Sequence, residues 1–206
     1  MNTQGTPGLP QASYPVALID RVQLADGRSV IVRPVLPQDA AGQQQLLAAM
    51  SPDSRRMRFH GAVTQLPAAM LRQMTTIDYE QHVALIAETR VGQDSTELIA
   101  DARYVLLADQ PERGEFAIAV ADAWQGVGLG RVLLTKLAEH ACRHGVRVLH
   151  GSVLVGNRAM LGMMEQLGAQ LFVDPDDSSV MRVSLMCAAR PCAAAEWLFE
   201  GDFAIG

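Results

Sequence analysis

The chain has 206 residues, of which 49% are hydrophobic and 19% charged, and its net charge is −5. That is enough chain for one domain with its own core, in ordinary globular proportions. No basic excess points to nucleic acid or to an anionic membrane surface, and no apolar run reaches the roughly 18 residues of a bilayer span. The three cysteines, Cys142, Cys187 and Cys192, lack metal-site spacing. A reducing cytoplasm is therefore the expected setting, and no metal site is expected.

Residues 1–15 are rich in Gly, Pro, Gln and small polar side chains. They lack a basic-then-apolar pattern and read as a flexible tail, not a signal peptide. Residues 21–24 and 29–34 read as a hairpin turned by Asp26-Gly27. Leu46, Leu47 and Met50 give helical spacing over 39–50. Ser51-Pro52-Asp53 is a helix start: a cap hydroxyl, a proline at the first helical position, and an acid beside the dipole. That helix carries Arg55, Arg56 and Arg58, which read as a solvated basic face in preference to a ligand site. A third helix is expected over 67–75. Residues 83–87 and 98–107 read as strands separated by Gly92-Gln93-Asp94-Ser95. A polar turn over 109–114 leads into a strand over 115–121. Beyond a Gly-rich segment, Leu129, Val132, Leu133, Leu137 and Ala141 share one helical face, opposite Arg131, Lys136, Glu139 and Arg143, and Gly145 is a natural C-cap. Residues 146–154 form another strand. Asn157 opens a helix that Gly168 stops, and residues 170–173 and 180–186 suit a closing hairpin. Residues 188–206 are alanine-rich and receive no assignment. The order is mixed α/β (α+β), with antiparallel strands preceding a parallel crossover.

The segment Gln125-Gly126-Val127-Gly128-Leu129-Gly130-Arg131 organises the rest. A helix start exposes unpaired N–H groups and a partial positive charge, which suits an anion. A Walker loop fails because Arg131-Val132 follows Gly130 where Lys-Ser/Thr is needed. A dinucleotide loop needs Gly-x-Gly-x-x-Gly after the first strand of its unit; this spacing is Gly-x-Gly-x-Gly, and it comes mid-chain. Gln/Arg-x-x-Gly-x-Gly/Ala, the pyrophosphate loop for acyl-coenzyme A, matches at every specified position. A Gly-rich turn that merely starts a packed helix is the plain alternative.

With Val153-Leu154-Val155-Gly156-Asn157-Arg158-Ala159-Met160 and Leu167-Gly168, these pieces resemble the GCN5-related N-acetyltransferase (GNAT) superfamily over roughly residues 21–186. A narrower likeness rests on Leu36-Pro37 with Asp39, on Ser51-Pro52-Asp53-Ser54-Arg55-Arg56-Met57-Arg58-Phe59-His60-Gly61, and on Ile77-Asp78-Tyr79 before Val83-Ala84-Leu85-Ile86-Ala87. These resemble the catalytic domain of Pat-type bacterial protein lysine acetyltransferases. The resemblance implies a GNAT fold over residues 16–188, a mostly antiparallel sheet flanked by helices, with 189–206 as an extension of unknown role. The regulatory domain often joined to Pat enzymes has no room in this chain. Acetyl-CoA is the implied cosubstrate and a primary amine, on protein lysine or a small molecule, the implied acceptor. A homodimer is left open.

The same resemblance assigns backbone hydrogen bonds to pantetheine at Ile118, Ala119 and Val120. It places the pyrophosphate on Gln125, Gly126, Val127, Gly128, Leu129 and Gly130, with Arg131 adding charge. It brings Asn157 to the pantetheine, a role compatible with capping the following helix. Acetyl transfer needs a neutral amine, and with a lysine pKa near 10.4 only about 1 in 2,500 is neutral at pH 7. A general base deals with that proton. By composition Glu115 is an exposed strand-end acid; the Pat likeness makes it the base, with His60 and Glu80 as weaker alternatives. Many family members have a tyrosine acid in the last helix, and Met164 stands at that position here.

Overall fold

The computed structural model describes residues 13–92 and 95–187. The expectations for residues 1–12 and 189–206 lie outside the described residues. The strands are β1 (Asp20–Gln23), β2 (Ser29–Pro34), β3 (His82–Val91), β4 (Ser95–Leu107), β5 (Gln110–Val120), β6 (Val148–Leu154), β7 (Gln170–Val173) and β8 (Val180–Met186). The helices are α1 (Ala40–Ala48), α2 (Pro52–Phe59) and α3 (Ala68–Thr75) between β2 and β3, α4 (Leu129–Arg143) between β5 and β6, and α5 (Arg158–Gln166) before β7. They pack on one sheet of order β1-β2-β3-β4-β5-β6-β8-β7. Among the described residues β5–β6 is its parallel pair, joined through α4, and the other neighbours run antiparallel.

Both faces of the sheet centre are covered, which is why β3 reads as a continuous apolar run and not as an alternation. Val83, Leu85 and Ala87 join the larger core with Leu129, Leu133, Leu134 and Leu137 of α4. Ala84 and Ile86 join the smaller core with Leu46 of α1 and Met50. The pleat also splits β5: Ile118 and Val120 pack toward the α4 side, whereas Ala119 belongs to the other core. Caps sit where the sequence puts them: Ser51 accepts from the Ser54 N–H at the start of α2, and Gly145 and Gly168 follow α4 and α5 with φ of +83° and +80°.

Two polar anchors hold the sheet's first half. Arg33 donates to both oxygens of Asp39 at 2.8 Å and to Glu88 at 3.0 Å, and Asp39 also accepts the Leu36 N–H. Asp101 and Arg103 form a buried pair on β4, joined by Gln43 of α1 at 2.7 Å.

The turn expected over 109–114 is largely strand. Leu107 already pairs with Gln110, and the register shift at Leu106/Leu107 absorbs the extra residues. Pro111 has no N–H to give a ladder, so it fits in this irregularity. Arg113 and Gly114 can then pair with β6.

His140 on α4 and Tyr104 on β4 share a buried hydrogen bond of 2.9 Å. Burial, then the charges of His144 and Arg143, bring the His140 pKa from 6.5 to about 4. Burial and Arg103 bring His82 from 6.5 to about 4 as well, against the opposing pull of Asp101 and Asp78. The unfolded chain therefore takes up two protons that the folded chain refuses in this window, and protonation favours unfolding. The urea midpoint is expected to fall as pH drops from 6.5 toward 4, with His82→Gln or His140→Gln each making that slope shallower; equal slopes in variants and parent would contradict this.

Candidate active site

β5 and β6 pair only at Arg113, Gly114 and Glu115, opposite Val148, Leu149 and His150. β6 then continues beside β8 to Leu154, while residues 116–120 keep β4 alone as a strand neighbour. The gap opens into a cleft of about 1050 Å³, walled by α2, β5, the start of α4, the end of β6 and α5. At its apex a Cβ on Gly151 would stand 3.0 Å from the Phe116 ring and 3.3 Å from the Phe116 carbonyl oxygen. The glycine lets the two strands meet here before they part.

The Gly-rich loop has two distinct requirements. Gly126 and Gly128 have φ of +74° and +89°, conformations that cost other residues about 1–2 kcal/mol. Gly130 is different: a Cβ there would meet Ile118 and Met163 at an ordinary 3.5 Å, so the protein's own packing does not require glycine. No side chain caps α4. Its first helical bond is from the Val132 N–H to the Gly128 carbonyl at 3.1 Å, leaving Leu129, Gly130 and Arg131 without helical acceptors at the positive end of the dipole.

Side chains tie this loop to both walls. Gln125 Nε2 donates to Ser54 Oγ and the Val120 carbonyl at 3.1 Å and to Asp122 Oδ1 at 3.2 Å. Asp122 Oδ2 accepts the Ser51 N–H at 3.1 Å. Burial opposes ionisation of Asp122, but hydrogen bonds from Ser54 and Ser51 outweigh it and hold the carboxyl below its ordinary range. On the other wall Arg131 donates to Gln166 Oε1 of α5, and Asn157 Oδ1 caps α5 by accepting the Met160 N–H at 3.2 Å.

The residues singled out in the sequence converge. Glu115, Ile118, Ala119, Val120, Gln125, Gly126, Gly128, Leu129, Gly130, Arg131 and Asn157 all border the cleft. Val127 does not; it packs against the larger core, and its carbonyl accepts the Ala25 N–H at 3.4 Å. Glu115 is exposed at the point where the β5–β6 pairing stops, opposite His150. Burial lowers the His150 pKa, Glu115 opposing and Arg113 assisting. His60 borders the cleft in a left-handed conformation (φ +53°), whereas Glu80 lies outside it in the loop before β3.

Two sequence readings change. The arginines of α2 are not one solvated face: Arg55 donates to the Ala48 carbonyl at the end of α1 and to the Met50 carbonyl beyond it, Arg56 is exposed, and Arg58 is half-buried in the cleft wall. A short polar helix gave no apolar stripe from which to orient them. Met164 is fully buried in the larger core, and Met163 borders the cleft instead. Neither donates a proton. The three tyrosines bond elsewhere, Tyr14 to the Pro34 carbonyl, Tyr79 to the Val35 carbonyl and Tyr104 to His140.

The described residues thus place a split sheet beside an uncapped, glycine-rich helix start. The acetyltransferase (GNAT) family profile matches residues 54–169, and the chain belongs to this family. It is 34% identical to an acetyltransferase of Pseudomonas aeruginosa over 76% of this chain and 83% of that one. It is 33% identical to the acetyltransferase Pat of Mycolicibacterium smegmatis over 72% of this chain, but spans only 43% of that longer protein. Among solved structures, the GNAT domain of S. lividans PAT superposes with a TM-score of 0.76 at 28% identity, covering 84% of this chain and 99% of that domain. In fold alone, yncA of Salmonella typhimurium, solved with its cofactor acetyl-CoA, matches with a TM-score of 0.59 at 16% identity, covering 82% of this chain and 99% of that one. The protein is thus an acetyltransferase enzyme with the mixed, mostly antiparallel GNAT sheet. No helix among the described residues is long and apolar enough to cross a membrane.

Asp122→Asn removes the charge that holds Ser51 and Gln125 together. A loss of about 1 kcal/mol is expected in urea unfolding, with faster amide exchange in the first turn of α2. Unchanged exchange there would mean that loop and helix hold their places independently.

Proposed function

We propose that the cleft binds acetyl-CoA and that the enzyme transfers the acetyl group to the side-chain amine of a protein lysine by direct attack. The observation that carries this reading is the free edge of residues 116–120 running from Glu115 to the uncapped start of α4. The Pat likeness supports lysine as the acceptor over a small amine. The domain is proposed to span residues 16–188 and to work in the cytoplasm.

Acetyl-CoA supplies an activated thioester. The Gly126–Gly128 turn and the free N–H groups of Leu129, Gly130 and Arg131 suit its pyrophosphate, and Arg131 adds positive charge. Gly130, which the fold itself does not need as glycine, allows close approach to that backbone. The open edge of β5 carries the backbone groups of Ile118 and Val120, on either side of Ala119, which pairs toward β4; it offers hydrogen bonds to the pantetheine amides, and Asn157 borders the same cleft at the start of α5. The apex N–H groups can stabilise a developing oxyanion.

Glu115 is the proposed general base. Freeing a lysine amine at pH 7 costs roughly 4.6 kcal/mol, and a carboxylate at the end of the cleft takes up that proton directly or through water. No residue is assigned as general acid. A leaving thiolate with pKa near 8.5 needs little help.

Two variants test this with thiol release and acetyl-CoA titration. Glu115→Gln is expected to lower kcat by about 10²–10⁴-fold with unchanged acetyl-CoA affinity. Unaltered turnover would remove Glu115 from the mechanism, and tight binding without turnover on any amine in the parent would favour a sensor. Gly130→Ala is expected to raise stability by up to about 1 kcal/mol, because alanine is the better helix former, while weakening acetyl-CoA. If affinity rose with stability, the close-approach argument would fail.

A further inference from the structure

Arg58 is the feature of the cleft that the transfer reaction leaves unused. It lies on the same face of α2 as Ser54, one turn of about 5.4 Å beyond the contact with Gln125. It is half-buried, borders the cleft, and on its inner side borders a small void shared with Gln43, Asp101 and Ala119. A guanidinium has five N–H donors. Among the described residues none of those of Arg58 has a hydrogen-bond acceptor or an ion-pair partner, and its Cζ lies 4.9 Å from the Phe59 ring.

The nearest carboxylates do not fill that need. Asp101 is fully buried, and both of its oxygens are committed: Oδ1 accepts Arg103 Nε at 2.9 Å, and Oδ2 accepts Arg103 Nη2 at 2.5 Å and Gln43 Nε2 at 2.7 Å. Glu115 is within electrostatic reach but forms no ion pair with Arg58. Burial pushes the Arg58 pKa down and Arg103 adds to this, with Asp101 and Glu115 opposing. The guanidinium keeps its charge, because arginine is not deprotonated inside proteins. A partly desolvated cation with idle donors is costly unless something supplies acceptors. Its charge-assisted, bidentate partners are carboxylates and phosphates.

The start of α4 has its own free N–H donors for a phosphate, and Arg58 lies on the α2 wall one turn past the Ser54–Gln125 contact, within electrostatic reach of Glu115 on β5. We propose that Arg58 is a specificity-determining residue for the acceptor: it binds a carboxylate next to the target amine and selects lysines with an acidic neighbour in the peptide. This rests on the acetyl-transfer reading of the same cleft.

The test uses paired lysine peptides that differ only in one flanking residue, Glu, Gln or Lys, with kcat/KM read by thiol release from acetyl-CoA. The full chain is expected to favour the Glu peptide over the Gln peptide by tenfold or more. Arg58→Gln should erase that preference without changing acetyl-CoA affinity, Arg58→Lys should retain part of it, and Arg58→Glu should turn it toward the Lys-flanked peptide. Thermal melts establish which variants fold, and Arg58→Lys keeps the test decisive if the others do not. Equal rates on Glu and Gln peptides, or a preference that survives in Arg58→Gln, would overturn the assignment of Arg58 alone. No thiol release with any peptide, despite acetyl-CoA binding, would overturn the lysine-transfer reading and this inference with it.

Discussion

Everything at the site follows from β5 having to leave β6 after Glu115. Up to that residue the two strands satisfy one another; beyond it β6 turns to β8 alone and β5 keeps β4 alone. A half-paired strand at the centre of a sheet is costly unless its backbone groups reach water or a ligand. The fold meets this constraint by opening a cleft at that point, so the edge of residues 116–120 faces open space. Gly151 lies where the split begins, and a Cβ there would crowd the Phe116 ring and carbonyl.

The cleft has two walls of different origin, and one polar cluster keeps them in register. Gln125 reaches Ser54, the Val120 carbonyl and Asp122, and Asp122 reaches the Ser51 N–H. The glycine-rich loop is therefore bonded to the first turn of α2, the helix that also carries Arg58. A shift of the loop is felt at the opposite wall, because hydrogen bonds of about 3 Å tolerate little displacement. On the far side the Arg131–Gln166 contact makes the same kind of tie to α5.

Local rules carried the elements whose ends have a chemical signature. Ser51-Pro52-Asp53 starts α2, Asn157 caps α5, and Gly145 and Gly168 end their helices, because caps depend on residues a few positions apart. The loop from Gln125 to Gly130 was legible for the same reason. Rules of that range misjudged the 109–114 segment, where a bulge and a partner strand 35 residues later turn a polar run with proline into strand. They could not separate Met163 from Met164 either, since both suit an apolar helix face and only the packing of α5 puts one in the core and one at the cleft.

What the sequence determined by itself was the order of elements, the glycine-rich helix start, and the acid placed five residues ahead of Val120. These rest on backbone conformation and short-range hydrogen bonding, which neighbouring residues settle among themselves. Only the tertiary structure decided where β5 and β6 part, that Val127 faces the core, and that the three arginines of α2 have three separate fates. Those outcomes depend on which surfaces meet, and contacts between residues far apart in the chain leave no mark on the local pattern of either partner.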